Sequence, residues 1–168
     1  MRIAVAVGDI LDEPADVLIC SANGRLEMTG GVNLAIYSRP GGPQVERELQ
    51  EHLRATGRRW VPPGTVVVTG PGPLAFRHIL HAVAIDAVYT TGVDLVRTTL
   101  ETAFARAAEL GARSAAVTAL ATGYGRLPMG DFATALRQAA ARSRPPLEDV
   151  RVVVRHDADA REIAGALG

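Results

Sequence analysis

Short apolar runs alternate along this chain with longer stretches in which apolar residues return every three or four positions. Arg2–Val7 (RIAVAV) and Val17–Ser21 (VLICS) are unbroken enough to read as buried strands, one on each side of the turn-rich GDILDEPAD. Residues 32–38 predict a short helix that ends at Pro40, Gly41 and Gly42. Pro43 then suits the first turn of a second helix running to about residue 56, with Gly57 as its stop. Residues 65–69 (TVVVT) and 78–85 (HILHAVAI) predict two further strands separated by the turn GPGPLAF. Leu95, Leu100, Ala103, Ala107 and Leu110 fall at roughly helical spacing before the C-cap candidate Gly111. A fifth strand is expected over 114–120 and a helix over 129–142, stopped by Pro145 and Pro146. A sixth strand over 150–155 and a helix over 157–167 complete the pattern.

Strands alternating with helices predict an α/β/α sandwich, three layers around a six-stranded central sheet. The strands at 65–69 and 78–85 have no helix between them, and so short a connection favours an antiparallel pair. The sheet is therefore expected to be mixed and mostly parallel. With 168 residues and 48% hydrophobic composition, the sequence predicts one domain over residues 1–168. No repeat or low-complexity segment interrupts it.

Composition then narrows the chemistry. No apolar run approaches the ~20 residues of a membrane span. Asp9 breaks the N-terminal apolar run too early for a signal peptide, which points to a cytoplasmic protein. Cys20 is the only cysteine, so an internal disulfide and a cysteine-based zinc cluster are excluded. All eighteen basic residues are arginine, which removes Schiff-base, Walker-type and lysine-nucleophile mechanisms. They balance eighteen acidic residues, so no net field favours nucleic acid.

Two loops stand out for their glycine content: SANGRLEMTGGVN after the second strand and ATGYGRLP, residues 121–128, after the fifth. Both lead into helices and can turn free backbone N–H groups toward an anion. Neither is a Rossmann or Walker loop, and a glycine before a helix is also a common turn device. Ligands in open α/β sheets sit beyond the carboxyl ends of the strands, where both loops are expected. Two such loops side by side suit a pyrophosphate.

In this order the segments resemble the macrodomains, a family that binds ADP-ribose, and in particular its bacterial single-domain branch. The resemblance rests on GDI at 8–10, CSAN at 20–23, GGVNLAI at 30–36, GPQVERE at 42–48, TVVVTGPGPL at 65–74, HILHAV at 78–83 and ALATGYGRLP at 119–128. It spans nearly the whole chain. It implies that Asp9 accepts a hydrogen bond from the adenine amino group, with Ile10 packing beside the base. It implies that Asn23 faces the distal ribose. Gly30, Gly31 and Val32 would form the first phosphate-side loop, and Thr122, Gly123, Tyr124, Gly125 and Arg126 the second. Arg155 or His156 falls where the family supplies an aromatic face to the adenine, and an arginine plane can stack there instead. The implied ligand is ADP-ribose, a related nucleotide diphosphate sugar or an ADP-ribosylated protein, with no cofactor and no metal.

Many members hydrolyse ADP-ribose esters or O-acetyl-ADP-ribose, and one branch uses an Asp directly after its glycine run. This chain has Asn33 there; an amide can position water but cannot take its proton. Cys20 stands where that branch has an upstream Asn, and the branch with a catalytic lysine has no counterpart here. Thr29 replaces a glycine, and Tyr124, Gly125 and Arg126 depart from the family's Val-Tyr-Gly. A binder is thus expected before a hydrolase, and a nucleic-acid-binding module comes last. Each residue also has a plainer reading. Asp9 can cap a turn, Asn23 can be a turn asparagine, and Tyr124 can pack over its loop. His81 reads as a hydrogen-bonded core histidine; His78, on the opposite strand face, cannot join it at a metal. Arg54, Arg58 and Arg59 read as a solvated helix end, and Trp60 as a loop aromatic or a subunit contact.

Overall fold

A computed structural model describes residues 1–168. Its strands are β1 (Arg2–Val7), β2 (Val17–Ser21), β3 (Val66–Thr69), β4 (His78–Ala82), β5 (Ser114–Val117) and β6 (Asp149–Val154). Its helices are α1 (Gly31–Tyr37), α2 (Gly42–Ala55), α3 (Val93–Glu109), α4 (Met129–Ala140) and α5 (Asp157–Leu167), with a short 3-10 turn at Ile10–Asp12. The strands form one sheet in the order β1-β6-β5-β2-β4-β3. Every pair is parallel except β3–β4, the antiparallel pair expected from the short connection. No helix is long and apolar enough to cross a membrane.

The central strand β2 shows why the sheet must be covered twice. Val17 and Ile19 point into one core, with Leu100, Phe104, Phe132 and Leu136 from α3 and α4. Leu18 and Cys20 point into the other, with Ile36, Val45, Leu49 and Leu53 from α1 and α2. Period-two alternation of fully buried residues feeds both layers. Each large side chain removed from water in this way contributes about 1.5–3 kcal/mol. The far end of β2 is tied to β5 through Asp16, whose carboxylate accepts from the backbone N–H of Arg113 at 2.7 Å and of Ser114 at 3.2 Å.

Two strands are shorter than their apolar runs. β4 ends at Ala82 and β5 at Val117, although residues through 85 and 120 continue the pattern. Val83, Ala84, Leu120 and Ala121 are nevertheless buried, and Val83 still exchanges backbone hydrogen bonds with the chain entering β3, donating to the Thr65 carbonyl at 2.9 Å. Burial just beyond a strand's end is the same in sequence as burial within it.

Candidate functional site

Helices following the adjacent strands β2 and β5 lie on opposite faces of the sheet: α1 and α2 on one, α4 on the other. Such a switch in direction opens a crevice beyond the carboxyl ends of the two strands. The two glycine-rich loops leave from there. β1 and β6 end on the same side, where the Gly8 N–H donates to the Val154 carbonyl at 2.9 Å. Asp9 and Ile10 therefore come to lie next to the chain entering Arg155 and His156.

Contact between the glycine loops is direct. A Cβ added at Gly30 would meet the Tyr124 hydroxyl oxygen at 2.7 Å and its ring at 2.9 Å. Gly30, at φ +69, and Gly31, at φ +53, open α1 with backbone that glycine adopts without strain. N–H groups in the first turn of a helix have no partner within it. In the second loop Gly125 is obligatory for a different reason: a Cβ there would lie 2.6 Å from the Ala121 carbonyl oxygen and 2.9 Å from Ile85. The loop curls over on itself, with Ala121 at φ +64 and Arg126 at φ +54. Thr122 donates its hydroxyl to the Ala119 carbonyl at 2.8 Å, while Gly123 and Arg126 are exposed. Arg126 makes no ion pair.

Asp9 is exposed, and one oxygen of its carboxylate accepts from the Leu11 N–H at 3.0 Å, capping the 3-10 turn. Ile10 is buried beneath it. Asn23 shapes its own loop: its Oδ1 accepts from the N–H groups of Arg25 and Glu27, and its Nδ2 donates to the Glu27 carbonyl at 3.0 Å. One amide hydrogen is left over. Val32 is half-buried and Gly31 open to solvent. Arg155 and His156 are exposed, with neither in an ion pair.

Asn33 occupies a setting that the expected water-positioning role did not anticipate. It is 7% exposed, its Nδ2 donates to the Ser21 carbonyl at 2.7 Å, and its Oδ1 accepts from the Cys20 thiol at 3.6 Å. Its amide pins α1 to the end of β2. Cys20 also faces His81 Nδ1 at 3.9 Å, and His81 Nε2 meets the Thr69 hydroxyl at 3.0 Å. Because Thr69 donates to the Gly70 carbonyl at 2.9 Å, it accepts from His81, which fixes the proton on Nε2. Burial pushes the Cys20 thiol up to about 12 and the His81 imidazole down to about 3. Both are held neutral, the opposite of a reactive cysteine–histidine pair. His81 is the hydrogen-bonded core histidine expected from its apolar strand. His78, three residues earlier, does not approach it, and no group of three or more histidine, cysteine or carboxylate side chains is arranged to hold a metal.

Tyr89 is an addition that the sequence pattern did not single out. Its ring lies 5.9 Å from that of Tyr124, tilted by 43°. Its backbone is left-handed at φ +64, and Asp86 fixes the turn by accepting from the N–H groups of Val88 and Thr90. Val88, Tyr89 and Tyr124 are 77%, 54% and 71% exposed, an apolar lip beside the crevice. The available signal was a Val-Tyr pair placed inside a turn-rich segment between a strand and a helix.

Comparison with known proteins follows the same lines. The family model described as Macro domain matches residues 19–136. A Streptomyces griseus protein described as macro domain-containing is 37% identical over 151 residues, covering 88% of this chain and 84% of its own. A second, from Streptomyces nogalater, is 34% identical over 98% of this chain and 93% of its own. Among solved structures, a mutant Oceanobacillus iheyensis macrodomain with ADPR superposes with a TM-score of 0.85 at 24% identity, covering 97% of this chain and 90% of that one. The Trypanosoma brucei macrodomain in complex with ADP-ribose gives 0.82 at 22%, covering 99% and 69%.

Proposed function

The chain belongs to the macrodomain family, and from that premise we propose that it binds ADP-ribose, free or as a derivative carried on a protein. The observation that carries the reading is the meeting of the two glycine-rich loops at Gly30 and Tyr124, in the crevice between β2 and β5. Backbone N–H groups of Gly31, Val32, Gly123 and Gly125 would hold the diphosphate, where glycine allows close approach. Asp9 would accept from the adenine amino group through the oxygen that does not cap Leu11, with Ile10 below the base and Arg155 or His156 over it. The remaining amide hydrogen of Asn23 and the ring of Tyr124 would face the distal ribose. Known complexes of structural neighbours with ADPR and ADP-ribose support this choice of ligand.

Binding rather than hydrolysis is the reading favoured by Asn33, whose amide is spent on Ser21 and Cys20 inside the protein. Calorimetric titration of the folded chain with ADP-ribose tests the proposal: saturable heat is expected, and none at millimolar ligand would sink it. Incubation with O-acetyl-ADP-ribose, followed by mass spectrometry, should return the ester intact.

A further inference from the structure

The segment RRWVPPG, residues 58–64, follows α2 and sits outside the crevice. Arg58, Arg59, Trp60 and Pro62 line a surface hollow of about 370 Å³, and Trp60 is 57% exposed. This exposure is built in. Val61 next to it is 3% exposed, donates its N–H to the Gly24 carbonyl at 2.8 Å, and lies against Gly24 so closely that a Cβ there would come within 3.0 Å of the Val61 oxygen. On the other side the Gly64 N–H donates to the Val83 carbonyl at 2.8 Å. The Arg58 N–H is fixed to the Leu53 carbonyl at 3.0 Å. A tryptophan more than half exposed is thus held on a pinned strap.

Charge at this end departs from the neutral whole. Residues 52–64 contain no acidic residue at all, and they include Arg54, Arg58 and Arg59. Neither Arg58 nor Arg59 takes part in any of the ten ion pairs. Nearby acids are already engaged: Glu51 with Arg54, and Glu27 with Arg25.

We infer that Arg58, Arg59 and Trp60 form a second binding site, for a nucleoside phosphate, with the base stacked on the indole and the phosphate held by the two guanidinium groups. Both halves of the hollow point to this ligand. A guanidinium fork matches phosphate oxygens, and an exposed aromatic face is a stacking platform for any base. An acidic peptide would use the arginines and leave the indole in water. Sheet order adds a direction. β3 begins beside the end of β4, so the strap adjoins the same end of the sheet as the glycine loops, beyond β2 and β4 from Asp9. The ligand is either a free nucleotide or one unit of a single strand. The site stands independently of the ADP-ribose reading.

Trp60 is the chain's only tryptophan, so its emission reports on this hollow alone. The full-length protein is titrated with AMP, with adenosine, and with an oligoadenylate RNA. Expected is saturable quenching by AMP or the oligonucleotide, weakened by salt, with adenosine weaker by roughly tenfold or more. The double variant Arg58→Ala, Arg59→Ala keeps the probe and should lose the quenching by a similar factor, while circular dichroism stays unchanged. Tighter binding per nucleotide by the oligoadenylate identifies a strand as the source, and equal binding a free nucleotide; each supports the shared chemistry. No quenching by either phosphate ligand at millimolar concentration overturns the proposal. So does quenching that the double variant leaves intact.

Discussion

Gly123 and Gly125 stand two positions apart in one loop and are equivalent in sequence, yet their surroundings differ completely. A Cβ at Gly123 meets nothing within 4 Å, whereas at Gly125 it meets backbone, the Ala121 carbonyl. Gly125→Ala is expected to destabilise by about 1–3 kcal/mol through overpacking, and Gly123→Ala by less than about 0.5. Chemical denaturation of the two variants checks this, and equal midpoints would refute it. The sequence marked both glycines but could not rank them, because one clash partner, Ile85, comes from a different loop. Asp9 shows the complementary problem: a turn cap and a ligand contact use the same carboxylate. Asp9→Ser keeps a capping oxygen and loses the charge. It should weaken ADP-ribose binding by about 1–3 kcal/mol while the melting temperature holds, whereas Asp9→Ala should lower both.

Elements are held by a small number of buried polar links. α1 is only seven residues long, too short for its periodicity to reveal which face is inward, and the sequence left Asn33 facing the ligand. In the fold its amide donates to Ser21. Replacing it with Asp puts a carboxylate against that carbonyl oxygen. Asn33→Asp should therefore lower stability at neutral pH by about 1–3 kcal/mol and recover on acidification, instead of gaining hydrolase activity. Denaturation curves at pH 5 and 7, beside an ester-hydrolysis assay, decide it. β3 and β4 are likewise linked through His81 and Thr69, and this link sets a pH response. His81 is neutral in the fold down to about pH 3, while the unfolded chain takes up its proton near 6.5. Between those values the unfolded state binds more protons, so stability falls as pH falls, by up to about 1.4 kcal/mol per unit from this group. His81→Gln should flatten that slope; an unchanged slope would count against the buried neutral imidazole.

At the scale of the whole molecule, the six strands, five helices and the antiparallel pair were legible because hydrophobic periodicity is a local property. Strand order was not, since the neighbours β1 and β6 lie at opposite ends of the chain and only a register such as Val7 opposite Val154 joins them. The same holds for the crevice: its loops could be named, but not the Tyr89–Tyr124 lip, which needs β4 and β5 on either side of β2. The molecule also divides its roles between the two ends of the sheet. At one end Asp16 ties β2 to β5, its carboxyl held below the usual range chiefly by the Arg113 backbone N–H. At the other, the four left-handed non-glycine residues Leu26, Tyr89, Ala121 and Arg126 all fall in loops that follow β2, β4 and β5. Each such residue carries about 1–2 kcal/mol of local cost. One end thus works as a clasp and the other as a set spring. Two of those residues, Leu26 and Ala121, are buried in the two cores, so packing holds the strained loops in place while the clasp keeps the sheet in register.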